Sequence, residues 1–287
     1  MRRITGGILI ASTVAVLAAG TSFGQQFEWK GELIWGSGTY TMTERTNTKA
    51  FVNTFTWSND RIRVEIAIPY IDQDTPFVRF AGGMPVPTGR HHADAPNPKD
   101  HGGGGGGGGG HGGPIEVPDP GTLNFDQRGL GDPILRVDAV ILGDLSFGRA
   151  LGVWAAVKAP IADAGSAFGT GEWDSGCGLA FAFNTNQTWF WAEAGYWLLG
   201  DPSEFDLINP FVVRLEFDRG IGSGNWSLGA AFDGSSETVE GAGDRAVLSG
   251  ALRRHFKLGR HIELKVGVGL TDASPDWVTS IGWRLPF

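Results

Sequence analysis

From Ile262 to Thr271 the chain alternates without a break. Ile262, Leu264, Val266, Val268 and Leu270 fall on one side of an extended segment, and Glu263, Lys265, Gly267, Gly269 and Thr271 on the other. The same period of two sets Ile62, Val64, Ile66, Ile68 and Tyr70 against Arg63, Glu65, Ala67 and Pro69. It recurs with Phe211, Val213, Leu215 and Phe217 against Val212, Arg214, Glu216 and Asp218, and with Leu135, Val137, Ala139 and Ile141 against Arg136 and Asp138. In Trp226, Leu228, Ala230 and Phe232 the opposing set is mostly small. About twelve such segments predict strands near 37–45, 50–58, 61–71, 133–143, 149–160, 174–184, 188–199, 208–219, 225–234, 244–256, 261–271 and 276–287, with Phe27 to Trp35 as an alternative first strand. Each is close to the nine to eleven residues that cross a bilayer at a tilt.

The connections alternate in length. Short turns at 58–60, 143–148, 184–187, 220–224 and 257–260 interleave with links at 46–49, 72–132, 161–173, 200–207, 235–243 and 272–275, which include every long one. An even-stranded, up-and-down transmembrane barrel with short periplasmic turns and long outer loops gives this alternation. Aromatic residues add an independent sign. On the apolar faces Trp57, Phe183, Phe190, Phe217, Trp226, Phe256, Trp283 and Phe287 lie toward the short turns, and Tyr70, Tyr196, Phe211, Phe232 and Trp277 toward the long loops. Two aromatic girdles are what a membrane barrel carries, whereas alternation alone also fits a soluble sandwich.

Composition agrees. Forty-six Gly, eleven Trp and eighteen Phe beside three Met exclude an all-helical fold. A single cysteine, Cys177, excludes an intramolecular disulfide framework and a cysteine-based zinc site. Arg2 and Arg3 precede an apolar run, Ile8 to Ala19, too short to span a bilayer, and Ser22-Phe23-Gly24 offers small residues for cleavage, so residues 1–24 read as a signal peptide and 25–287 as the barrel. Without the two arginines the chain has 21 basic and 31 acidic side chains, a net charge of −10, and no basic face for nucleic acid.

The last eight residues, Ser280 to Phe287, look like the C-terminal signal read by the outer-membrane barrel assembly machinery, with Gly282, Leu285 and the terminal Phe287 as its elements. Outer-membrane lipid and that machinery are the partners this implies. A further segment, 89–121, contains His91, His92, His101, His111 and an uninterrupted Gly102–Gly110 run. Glycine has no side chain to bury and loses the most backbone entropy on ordering, which predicts a disordered outer loop. Imidazoles there can meet zinc, copper or nickel, but nine consecutive glycines do not preorganise a metal site, and none is expected.

Function has to be read from the inward set. Arg136, Lys158, Arg214, Glu216, Arg253 and Lys265 are the candidate wall charges, and Trp154, Trp191 and Trp197 the candidate solute contacts. Such charges either line an aqueous pore or pair across a narrow lumen and hold the wall, and the tryptophans either meet a ring-shaped solute or fill space. Gly129-Leu130-Gly131-Asp132-Pro133, Ile68-Pro69-Tyr70, Lys158-Ala159-Pro160 and Gly169-Thr170-Gly171-Glu172-Trp173-Asp174, together with the terminal strand, resemble the MetA-pathway of phenol degradation family. That resemblance implies a transporter-like outer-membrane barrel, a channel or facilitator passing small solutes, with aromatic compounds as one candidate class; it supplies no catalytic residues, and the glycine loop departs from it. Passive diffusion needs no cofactor. An outer-membrane enzyme would need a nucleophile beside a base; His255 has no evident serine partner in the sequence, and Glu172 with Asp174 reads as a solvated acidic pair. A structural or partner-binding barrel with a plugged lumen is the remaining alternative.

Overall fold

The computed structural model describes residues 26–42, 44–88, 127–144, 149–162, 168–185, 187–202, 206–222 and 225–287. The signal segment 1–24 and the glycine-histidine loop 89–121 lie outside these residues. The described chain is all-β. Twelve antiparallel strands close into a barrel: β1 (Gln26–Gly38), β2 (Thr46–Ser58), β3 (Ile62–Gln73), β7 (Ile134–Asp144), β8 (Arg149–Lys158), β9 (Asp174–Asn184), β10 (Thr188–Leu198), β11 (Phe211–Ile221), β12 (Trp226–Ser235), β13 (Arg245–His255), β14 (His261–Gly269) and β15 (Trp277–Pro286). Each pairs with its sequence neighbours in the barrel, and β1 pairs with β15 from Glu28↔Pro286 to Ser37↔Trp277, so no edge is left open. Three short strands lie between β3 and β7: β4 (Val78–Ala81) and β5 (Met84–Pro87), which form a hairpin, and β6 (Gln127–Leu130), which pairs with the end of β3.

The sequence places eleven of the twelve strands within a few residues, and the first is corrected. It is Gln26–Gly38, not 37–45, and the link at 46–49 belongs to β2. Phe27, Trp29, Leu33 and Trp35 alternate with Glu28, Lys30, Glu32 and Ile34, whereas Tyr40 and Thr41 have φ of 49° and 68°, which ends a strand. Tyr40 is buried at this outer turn; its phenol is pushed up to about 12 by burial, with Arg245 opposing and Asp276 reinforcing the shift.

The barrel is inverted relative to a soluble core. Leu215, Phe217, Leu264, Val266, Val268 and Ile281 stand exposed on the outside, while Ser227, Ser249, Glu263 and Ser280 are buried inside. Outward apolar and inward polar sets alternate as a lipid-facing wall requires.

The closing seam has its own device. Gly31 of β1 leaves the outer surface bare, and the Trp283 indole of β15 lies across it, so that an added Cβ would overlap the ring. Trp283 stands edge-on to Trp29 and stacks on Phe51, both with centroids 5.9 Å apart. Trp29 Nε1 donates to Asn53 Oδ1 at 3.2 Å, which satisfies the one outward amide of β2 in this cluster. Aromatic pairs contribute about 0.5–1.5 kcal/mol each. A Trp283→Ala variant should therefore refold but lose its compact, heat-modifiable form on gels at a lower temperature than the parent. Identical melting would mean that the backbone ladder alone holds the seam.

Candidate functional site

After β3 the chain turns inward. The β4–β5 hairpin packs on the inner wall built by β8, β9 and β10, and Ala81 and Val86 share one buried cluster with Trp154, Ala180, Trp197, Leu199 and Leu207. Small residues on the wall make room for this. An added Cβ at Gly176 would sit 2.6 Å from the Trp197 ring, and one at Gly178 would sit 2.7 Å from Trp154 Nε1. The two indoles lie 6.2 Å apart over this glycine floor and are 3% and 7% exposed, so both face the hairpin. Trp191, the third predicted contact, is not in that buried set. It stacks on Trp189 at 6.2 Å, and its Nε1 donates to Glu193 Oε2 at 3.2 Å.

A buried ion cluster fixes the hairpin. Lys158, at the outer end of β8, is 1% exposed. Its ammonium donates to Asp132 Oδ2 at 2.7 Å, the Glu172 carbonyl at 3.0 Å and Thr170 Oγ1 at 3.2 Å, and lies 3.2 Å from Asp174 Oδ2. Asp174 also accepts from the Gly82 N–H at the hairpin tip at 2.7 Å and from Gly200 N–H at 3.0 Å, while Asp132 accepts from Ala162 N–H at 2.8 Å. Gly82, with φ of 55°, forms the turn that aims this N–H. Lys158 therefore stands in a sealed anchor and not on an open wall. Asp174 is likewise buried, which corrects its reading as half of a solvated pair. The three sequence segments that carry Asp132, Lys158 and Thr170 to Asp174, separate in the chain, meet here.

The remaining wall charges are paired. Arg136 donates to Asp138 at 2.8 Å and to Glu193 at 2.7 Å, and its guanidinium lies 4.7 Å from the Trp154 ring centroid. Arg214 pairs with Glu216 and, at 3.6 Å, with Asp233. Arg253 bridges Asp218 and Glu263. Lys265 lies 3.8 Å from Glu32, which Lys30 also meets at 2.9 Å. Each cation thus has a carboxylate on its own or a nearby strand, and the pairs run round the lumen. Glu28, Lys30, Glu32, Asp233 and Arg245 join the predicted set; the charged positions of β1 went unused because its strand was placed later in the chain.

Toward the short turns a cavity of about 240 Å³ remains. Ala150, Gly152, Ala180 and Ala182 form one side, Trp191 contributes its edge, and Glu28, Arg63, Asp138 and Arg284 supply the charge. Nearby, Ser227 Oγ lies 2.8 Å from His255 Nε2, a serine partner that the sequence did not disclose. The same hydroxyl bonds Asp218 Oδ2 at 3.0 Å, Ser227 is buried, and Asp218 is held by Arg253 instead of orienting the imidazole. This is not the order of contacts by which a base activates a nucleophile. Among the assembly-signal residues, Gly282 faces inward with its nearest neighbour 3.7 Å from an added Cβ, so packing leaves room for a methyl there. Phe287 is exposed, and its N–H bonds the Phe27 carbonyl at 2.8 Å; Leu285 pairs with Trp29.

No protein-family model matches the chain, and no curated protein matches it. Solved structures do. The COG4313 outer membrane channel from Pseudomonas putida F1 superposes with a TM-score of 0.61 at 11% identity, covering 93% of this chain and 97% of that one. The CymD monoaromatic hydrocarbon channel gives a TM-score of 0.44 at 10% identity, covering 93% and 89%. The beta domain of the Bordetella autotransporter BrkA gives 0.41 at 12%, covering 91% and 98%. The chain therefore shares the fold of an outer-membrane channel, a twelve-stranded barrel.

Proposed function

We propose that the protein is an outer-membrane channel for the passive passage of small solutes, narrowed from one wall by the β4–β5 hairpin. The observation that carries this reading is the cavity beneath the hairpin, polar on one side and lined by small residues on the other, inside a barrel whose outer surface suits lipid. A cavity of about 150 Å³ already holds benzene. The space here is larger, and the Trp191 edge and the Ala/Gly wall offer an apolar surface to one ring, with Arg63 and Arg284 beside it for a polar substituent. Small aromatic compounds are accordingly the solute class we favour, in keeping with the motif resemblance to the phenol-degradation family. The paired wall charges keep the lumen polar and the wall rigid. On this reading the short turns face the periplasm, the N-terminal segment directs export, and the barrel assembly machinery inserts the chain.

The buried hairpin cluster favours a second reading, a barrel plugged at its outer end that serves as a structural wall. Single-channel recording of the refolded protein in planar bilayers separates the two. Discrete conductance steps, partly blocked by phenol or toluate added to one chamber, are expected of the channel. A heat-modifiable barrel that inserts and stays electrically silent would establish the plugged wall instead.

A further inference from the structure

The outward faces of β8 to β13 carry three charged side chains, Arg149, Arg219 and Arg254, and all three stand at the short-turn end. Arg219 and Arg254 have no carboxylate partner among the described residues, and the outward faces of β8 to β13 present no Asp or Glu; Arg149 stands opposite Asp144 of β7 in the ladder. Two of the arginines are set on aromatic rings: Arg254 lies 4.8 Å from the Trp226 centroid and 6.0 Å from Phe256, and Arg149 lies 5.4 Å from Phe183. The contacts hold the guanidinium planes at the level of the aromatic girdle, where the rings mark the boundary between hydrocarbon and headgroups. Arg254 on β13 stands opposite Trp226 on β12, and Arg219 on β11 stands opposite Leu228, the next outward residue of β12, so that two inter-strand spacings and a two-residue rise set the arginines roughly 12 Å apart.

We infer that this Arg–aromatic rim is a binding surface for acidic phospholipid in the periplasmic leaflet. The inference rests on the membrane-barrel reading above. Guanidinium groups take phosphate oxygens in a planar, two-pronged geometry, and arginine sheds water more readily than lysine at such an interface. The rest of the chain argues for a local site and against general attraction. Its formal net charge is −8, which repels an anionic surface, so a preference for acidic lipid has to come from an uncompensated basic patch. A zwitterionic headgroup brings its own cation to the same place and fits less well.

The test uses full-length refolded barrel in mixed micelles of phosphatidylglycerol and phosphatidylcholine, with the retained lipids counted by native mass spectrometry. The parent should retain phosphatidylglycerol in preference, and Arg219→Gln and Arg254→Gln should each reduce the preference by about fivefold. Both side chains are on the outer surface, so heat-modifiability on gels reports that each variant is folded. Equal retention of the two lipids by the parent, or the same preference in both variants, overturns the site. Conductance measured on the same preparations keeps the readings apart: a conducting barrel without lipid preference sinks this inference alone, while a chain that enters neither lipid sinks the membrane reading and the site with it.

Discussion

Replacing Lys158 by Met should cost the barrel about 3–5 kcal/mol and free the β4–β5 hairpin from its wall. The magnitude follows from what the ammonium leaves behind. Asp132 and Asp174 are both buried and would lose the only cation among the described residues that reaches them, keeping backbone N–H donors from Ala162, Gly82 and Gly200. Two carboxylates facing one another without a cation are far more costly than a single buried pair is beneficial, because desolvation has already been met and nothing offsets it. One of the carboxylates holds the Gly82 N–H at the hairpin tip, so relief of the repulsion by moving Asp174 also lets the hairpin go. The expected outcome is a lower urea midpoint for loss of the folded band, together with noisier and larger conductance steps. Adding Asp132→Asn and Asp174→Asn to the Lys158→Met background removes the uncompensated charge and should recover most of the stability. A single variant as stable and as quiet as the parent would show that the cluster neither holds the wall nor the hairpin.

The same cluster marks the boundary of what the sequence discloses. The barrel was legible because lipid imposes a period of two on every strand, and a one-residue slip in any strand would turn a charge such as Arg214 or Glu263 toward hydrocarbon. Inward positions of Arg136, Arg214, Glu216, Arg253 and Lys265 follow from that constraint alone. The first strand was harder to read for a local reason: Gly31 interrupts the apolar face, and the ring that covers it, Trp283, comes from the other end of the chain. The hairpin was not legible at all. Val78 to Pro87 reads like any outer-loop segment, and nothing local says that it folds inward onto Trp154 and Trp197. The meeting of Asp132, Lys158 and Asp174 was equally hidden, since the consecutive pairing of β7, β8 and β9 sets their outer ends side by side while sequence spacing does not report which end of a strand is buried. In each case the missing information was a side-chain contact between separate segments, which the period of two within a strand does not report.

Excising the segment between β3 and β6 should produce the largest change in conductance while leaving the barrel intact. The chain leaves the ladder at Gln73 and returns at Gln127, and these two residues face one another in register. Everything between them is therefore an excursion from a single rung, and an Asn-Gly turn can join the two strands as an ordinary hairpin. The shortened barrel keeps every pairing between its twelve strands, including β3 with β7 from Ile62↔Ala139 to Ala67↔Ile134. It loses the apolar cover over Trp154 and Trp197 and the Gly82 bond to Asp174, but water can reach the exposed carboxylate and its Lys158 partner remains. Barrels of eight strands are filled by side chains and those of sixteen to eighteen leave an aqueous channel, so a twelve-stranded wall stripped of its hairpin should hold a continuous polar path. Larger, steadier steps than the parent's are expected, with weaker block by phenol or toluate because the narrow part of the lumen has gone. If the excised barrel folds, inserts and conducts no more than the parent, the hairpin is not the constriction, and the restriction must lie among the paired charges on the wall itself.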